Sequence, residues 1–473
     1  MKKILLVNSN TETRPYPVPP LGLCLVAAAL KEEHDVMIYD GSFDAGASLP
    51  GIVSGYGPDY VGVSLRNIDD MNILDPANYI ERVRELFIRP LRGLTAAPLI
   101  LGGSGFSIFP EYVLRRFGAD YGVVGEGEAV LPRLIESLAG GADPSGMPGV
   151  VSARRAGYAP NRACADLKEL PFSEIDRKID FAPYRERGSY PVQTKRGCAH
   201  RCVYCTYAGI EGSAYRTRPA VRVADEIEQA AGRLGPVTFE FVDSTFNDPA
   251  GHAEAVCREI AGRRLPVRLR TMGINPCNAT PELFELMRNA GFAQIDCTPD
   301  TASRAMLANM GKNFSLEQLR EAARTVRAFD FPTMWFFIFG GPGETEDTVR
   351  ESFEFIDDHI SGKDMVHMTF GLRIYPGTPL HRRAVEEGMV GGDDPLIDPR
   401  FYISKDLGKE RLMDIIDRAA RTRPNCVPVT ETAPSPAMMR EAARLRGPGV
   451  PAEPMFRTLL RVRYRMMGGE MPL

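Results

Sequence analysis

A chain of 473 residues is too long for one ordinary domain and calls for two or three. Its 44% hydrophobic and 25% charged residues are those of a soluble globular protein. A net charge of −4 argues against a general polyanion binder, and no apolar run reaches the roughly 18 residues of a membrane span.

The opening "MKKILLVNSNTE" has the lysine pair of a secretion signal but too short an apolar run, and no cleavage site follows. It reads as a first buried strand, so the expected location is the cytoplasm, where clustered thiols mean metal or catalysis. Across residues 1–150 the runs "KILLVN", "VMIYD", "YVGVSL", "PLILGG" and "YGVVGE" alternate with helical stretches such as "LGLCLVAAALKEE". Runs apolar on both faces predict a doubly wound, Rossmann-like α/β domain with a parallel sheet, whose ligands bind beyond the carboxyl ends of the strands. Residues 151–190 form a weakly periodic connector. Over residues 191–385 strand and helix alternate again, predicting six βα units of a partial, TIM-like barrel with chemistry in the loops after the strands. One helix is predicted to start at Ser315, with Gln318 completing a capping box. Residues 386–473 read as a helical cap with Pro-rich, partly mobile connections ("PVTETAPSPAMM", "RGPGVPAEP"). Its basic stretch "RTLLRVRYRMM", with Arg457, Arg461, Arg463 and Arg465, reads as a terminal helix with a solvated face.

The stretch "GCAHRCVYC" spaces Cys198, Cys202 and Cys205 as C-x3-C-x2-C. A structural zinc site wants four ligands, typically as two pairs; no second pair exists here, although His200 could supply a fourth group. Thiolates suit iron–sulfur clusters, and three of them on a four-iron cubane leave one iron open. A cluster is the reading favoured by the spacing, with zinc and unliganded cysteines as the alternatives. Cys24, Cys164, Cys257, Cys277, Cys297 and Cys426 are scattered and read as small buried hydrophobes.

With this spacing after a first barrel strand, the chain resembles the radical S-adenosylmethionine (radical SAM) superfamily, including the aromatic Tyr204 before the last cysteine. "FVDSTFN" is similar to the family's second-strand segment, implying Asp243 and Ser244 as contacts to the methionine amino group. "PDTAS" resembles its ribose-binding segment, implying Asp300 and Ser303. "FIFGGPGET" looks like its fifth-strand element near adenine, implying Gly340 and Gly341, with Tyr204 completing the SAM-binding set. "RIYPGTPL" resembles the sixth-strand end of the branch that carries cobalamin domains. Mainly a turn, it also offers Arg373 and Tyr375 as groups that reach substrate.

The N-terminal half resembles the cobalamin-binding domain of that branch. The resemblance of its loops implies Ser64, Arg66, Asn67, Gly102, Gly103, Gly125 and Glu126 as cobalamin-facing residues. Many cobalamin domains carry D-x-H-x-x-G, whose histidine ligates cobalt; here the only histidine before residue 150 is His34, in "EEHDV". The resemblance therefore implies a cobalamin unligated from below, with Arg66 beneath the corrin, or a domain that no longer binds it. "GEGE" (Glu126, Glu128) reads as a helix start, and Trp335 as core.

What the resemblance implies is an enzyme with a [4Fe–4S] cluster, SAM and cobalamin. Its expected reaction is methylation of an unactivated carbon through a 5′-deoxyadenosyl radical and methylcobalamin. The alternative is a non-methylating rearrangement, ring contraction, cyclisation or desaturation. Expected partners are a small-molecule or lipid substrate and an external flavodoxin- or ferredoxin-type electron donor, with no nucleic acid and no membrane span.

Overall fold

The computed structural model describes residues 1–161, 165–431, 434–446 and 453–472. Cys164 and parts of the two Pro-rich connections lie outside the described residues. No described helix is long and apolar enough to cross a membrane.

The five apolar runs of the N-terminal half become β1 (Lys3–Asn8), β2 (Asp35–Asp40), β3 (Tyr60–Ser64), β4 (Leu99–Gly102) and β5 (Tyr121–Val123). All five are parallel, and β6 (Val150–Ser152) adds antiparallel to β5, giving the order 2-1-3-4-5-6. β1 shows why its run is apolar throughout. Ile4 and Leu6 pack against helices Leu21–Leu30 and Gly127–Ala139, while Leu5 and Val7 pack against Leu49–Tyr56 and Pro110–Phe117 on the other face. A sheet covered on both sides has no polar face to alternate with. The strand order reverses direction between β1 and β3, and a crevice opens there in sheets of this kind.

The barrel starts with β7 (Tyr190–Val192). Next comes a short antiparallel pair, β8 (Lys195–Arg196) and β9 (Arg216–Thr217), which brackets the cysteine stretch. Then follow β10 (Thr238–Phe241), β11 (Arg268–Ile274), β12 (Phe292–Asp300), β13 (Thr333–Phe339) and β14 (Met365–Phe370), each parallel to its predecessor in the sheet. These six strands are the expected ones. The Ser315–Gln318 capping box forms at helix Leu316–Phe329, and Trp335 is 1% exposed in the core.

The C-terminal segment departs from expectation. It is not wholly helical: β16 (Phe401–Tyr402) pairs antiparallel with β15 (Leu372–Arg373), and β17 (Cys426–Pro428) joins the barrel sheet parallel to β14 as a seventh strand. Strands of two and three residues are too short to declare themselves by periodicity. The helix Met455–Met466 also differs from a solvated face. Phe456 and Leu460 pack on Val427, Arg457 pairs with Asp364 at 3.2 Å, and the half-buried Arg463 donates to the Ala420 carbonyl. Only Arg461 and Arg465 are half-exposed.

The two halves are not independent. One hydrophobic core contains Phe87, Ile88 and Phe106 together with Met306, Met310, Leu372 and Ile374 from the barrel side. The connector is pinned as well: Tyr184 is fully buried and donates to Asp40 at 2.6 Å, and Ser173 donates to Glu226 at 2.7 Å.

Candidate functional site

Cys198, Cys202 and Cys205 line one cavity of about 810 Å³ at the carboxyl end of the barrel strands. Its walls include Ser244, Thr245, Asn275, Thr298, Asp300 and Lys312 from the barrel, and Ser107 and Ile108 from the N-terminal domain. The loop reaches its shape through Gly197, at φ 87°, where a Cβ would collide with the Ala214 carbonyl oxygen. The Cys198 N–H donates to the Gly212 carbonyl at 3.0 Å, and the Tyr207 N–H points at the Cys205 sulfur at 3.5 Å.

The thiol set fits a cluster. Burial raises the Cys202 thiol pKa and pushes that of Cys205 to about 11, so ligation of iron would displace their protons. Among the described residues no three His, Cys, Asp or Glu side chains converge on a single metal ion. Thiolates that bind separate irons of a cubane have no need to converge. His200 has its Nε2 committed elsewhere than to a metal beside them. Its Nε2 is taken up by Asp248 at 2.9 Å, Tyr215 at 3.1 Å and Asn275 at 3.1 Å, a network that fixes the loop between the first two cysteines.

Of the residues implied for SAM, the structure brings Tyr204, Ser244 and Asp300 to the cavity. The Asp300 carboxylate accepts from the Tyr204 hydroxyl and from Lys312 Nζ at 2.7 Å. Burial alone would depress the lysine, but Asp300, Cys202 and Cys205 around it together reverse this and raise its pKa. Asp243 is 5% exposed and outside the lining: Thr194 N–H and Lys195 N–H, at 2.8 and 3.1 Å, occupy its carboxylate, which holds the start of the cysteine loop. Ser303 is fully buried behind the wall. Gly340 and Gly341 also stand away from the cavity, their N–H groups donating to Glu344 and Gly341 packing on Met306 and Met310. Lys312, Asn275, Asn313, Thr245 and Thr298 were not legible in the sequence; isolated polar residues in loops, or near the end of a strand as Thr298 is, give no periodic signal.

The residues implied for cobalamin lie along the carboxyl end of the first sheet, with Ser64, Arg66 and Asn67 at its switch point and the others at or after the ends of β4 and β5. Arg66 and Asn67 meet Ser9, Asn10 and Glu12 at the ends of β3 and β1, and Ser64 accepts a hydrogen bond from Ser9 at its carbonyl. Gly103, at φ 98°, lets the chain pass the Leu65 carbonyl where a Cβ would overlap it. Gly102 ends β4, and the Gly125 N–H donates to Ser107 Oγ at 2.9 Å, tying these loops into one shelf. Arg66 projects into the gap between the halves. Desolvation there lowers its pKa, opposed by Tyr207, Tyr16 and Glu240, and its side chain has no hydrogen-bond partner among the described residues. An unpartnered guanidinium in an interdomain gap fits a large polar ligand above it.

Two implied residues are corrected. The Glu126 carboxylate is occupied by Arg216 and by Arg196 at 3.1 Å, while Glu128 takes Arg196 at 2.6 Å; "GEGE" does start a helix, at Gly127, but its acids clamp the cysteine loop. Arg373 is 4% exposed and faces no cavity, because its guanidinium pairs with Asp69 at 2.8 Å and donates to the Ile374 and Leu396 carbonyls. Tyr375 is half-buried beside it, with the arginine 5.1 Å from its ring, and the turn that follows (Pro376–Pro379) lines the cavity.

Residues 192–356 match the family model of the Radical SAM superfamily, and residues 8–135 match that of the B12 binding domain. The chain is 26% identical over 435 residues to an uncharacterized methyltransferase, PH0819, of Pyrococcus horikoshii, covering 86% of this chain and 90% of that one. It is 27% identical over 465 residues to tryptophan 2-C-methyltransferase of Streptomyces laurentii, covering 81% and 74%. The structure superposes with a TM-score of 0.83 on the radical SAM methyltransferase TsrM of Kitasatospora setae bound to tryptophan and a SAM analogue, at 26% identity over 99% of both chains. A second structure of TsrM holds cobalamin and a [4Fe-4S] cluster, with the same TM-score of 0.83. The family brings with it a [4Fe–4S] cluster, SAM, cobalamin and a requirement for a reductant. A thiol-lined cavity on the barrel, a cobalamin-type sheet opening beside it, and both family models in this order place the chain among the cobalamin-binding radical SAM enzymes.

Proposed function

We propose that this protein methylates a carbon of a small molecule or lipid in the cytoplasm, drawing electrons from a flavodoxin- or ferredoxin-type donor. The observation that carries this reading is the shared cavity, walled both by the three barrel thiols and by Ser107 and Ile108 of the cobalamin-type domain. When bound, the cluster and SAM supply a one-electron route to an unactivated C–H bond, and cobalamin supplies the methyl group.

The chain itself positions these groups and excludes water. Cys198, Cys202 and Cys205 would hold the cluster by three thiolates, and SAM would complete it. Ser244 and Thr245 would offer hydrogen bonds to the polar groups of SAM, and Asp300, oriented by Tyr204 and Lys312, would accept from its ribose hydroxyls. Arg66, desolvated in the gap between the halves, would face the corrin where the domain offers no histidine. The test is anaerobic reconstitution followed by turnover of a substrate pool with methyl-labelled SAM. Labelled product, with S-adenosylhomocysteine and 5′-deoxyadenosine in equal amounts, is expected. 5′-Deoxyadenosine without S-adenosylhomocysteine replaces methyl transfer by a rearrangement, ring contraction, cyclisation or desaturation. A cluster-replete protein that cleaves SAM and never retains cobalamin overturns the proposal.

A further inference from the structure

Below the thiol-lined cavity, the inner face of the barrel carries polar groups to which no role has yet been given. On β12, Ile295 and Cys297 are fully buried in the main core against the helices. Gln294, Asp296 and Thr298 therefore face inward, because successive side chains alternate. Thr298 already lines the cavity, which puts Asp296 one inward position, roughly 6–7 Å, beneath it. The same alternation turns Glu240 on β10 and Arg270 on β11 inward, since Phe239, Phe241 and Leu269 are buried in the core.

Their partnerships differ. Glu240 is saturated: it accepts from Tyr16 at 3.0 Å, from Arg270 at 2.8 Å and from Ser189. The Tyr16 ring also covers the Arg270 guanidinium at 4.3 Å, so that pair is sealed by the loop after β1. Asp296 receives one hydrogen bond, from Gln294 Nε2 to Oδ1 at 3.2 Å, and Oδ2 has no partner among the described residues. It lies beyond ion-pair distance of Arg270 and is half-buried, with its free oxygen on the inner face. Burial raises its pKa to about 7, against the pull of Arg270. A carboxylate in so poorly solvated a place is completed by a cation that hydrogen-bonds to it. The inner face also offers apolar surface near it: Met272 is 44% exposed, and Phe336 on the neighbouring strand is half-buried, its ring 5.2 Å from that of His367.

We infer that Asp296 anchors the substrate, and that the substrate is an amine carried on an apolar or aromatic body. This rests on the methyltransferase reading only in taking the cavity above as the place of reaction. The ammonium group bonds to Asp296 Oδ2, the body lies against Met272 and Phe336, and the far end rises past Thr298 to the thiol-lined cavity. A protonated Asp296 would instead donate to a carbonyl and select an amide.

The test uses the full reconstituted chain and three probes of one skeleton: phenethylamine, 3-phenylpropanamide and 3-phenylpropionate, followed by saturation-transfer NMR and calorimetry. The amine is expected to bind in preference to the other two. Asp296→Asn should weaken it at least about tenfold, and Asp296→Glu, which keeps the charge, should retain it. Equal amine binding by Asp296→Asn, preference for the amide or the carboxylate, or no amine binding to the unaltered protein each overturn the inference. Iron content of the same preparation separates the two readings. Protein that holds iron but ignores the amine sinks this inference alone, whereas protein that binds the amine but assembles no cluster sinks the methyltransferase reading.

Discussion

Arg373 and Asp69 are 304 positions apart in the chain and 2.8 Å apart in the fold, each nearly devoid of solvent. Removing one partner strands the other as an uncompensated buried charge, a cost of about 3–5 kcal/mol. Arg373→Ala is therefore expected to lower stability by about that amount in urea denaturation, and Arg373→Met with Asp69→Leu to recover part of it. Were Arg373 a substrate ligand, the loss would fall on KM instead. Glu344 offers a pH-dependent case. Burial pushes its carboxyl to about 7 from 4.5, although the N–H groups of Gly340 and Gly341 pull the other way. Between those values the folded chain holds a proton that the unfolded chain has released. This contribution therefore favours folding on the acid side and is lost as the pH rises through 7. Glu344→Gln is expected to flatten the melting temperature between pH 5 and 8 relative to the unaltered chain.

At the scale of elements, the cysteine loop is held at both ends by acids from other elements. The helix starting at Gly127 brings Glu126 and Glu128 to Arg196 and Arg216, the arginines of the β8–β9 pair that brackets the loop. Replacing both acids by glutamine removes charge-assisted bonds beside Gly197 and Cys198. Iron loss to a chelator should then quicken by about 10–100-fold, the usual effect of removing groups that orient metal ligands, with the circular dichroism spectrum unchanged. How much of this was legible follows the range of the signal. Runs such as "KILLVN" announce buried strands because both faces pack on helices, and "GCAHRCVYC" announces its metal because the thiols are adjacent in sequence. Glu126 carried only the local signal of a helix start, which it obeys, while its partners lie 70 and 90 residues away. Arg373 was misread for the same reason, and β17 was missed because three residues have no period.

At the scale of the whole molecule, a core shared between the halves fixes the gap into which Arg66 projects. A ligand that binds there and not to the unfolded chain stabilises the fold by mass action, about 2.7 kcal/mol at a hundredfold excess over Kd. Hydroxocobalamin is expected to raise the unfolding midpoint accordingly, and Arg66→Ala to reduce that rise. β17 carries a different consequence, for biosynthesis. It pairs with β14, yet helix Lys409–Thr422 and more than fifty residues separate the two strands. A nascent chain that has emerged through β14 therefore presents an open strand edge, able to recruit the wrong partner, until residue 428 has left the ribosome. Slowing translation across that interval should favour aggregation, and a stop placed before Cys426 should yield insoluble protein even though every cysteine of the cavity is already in place.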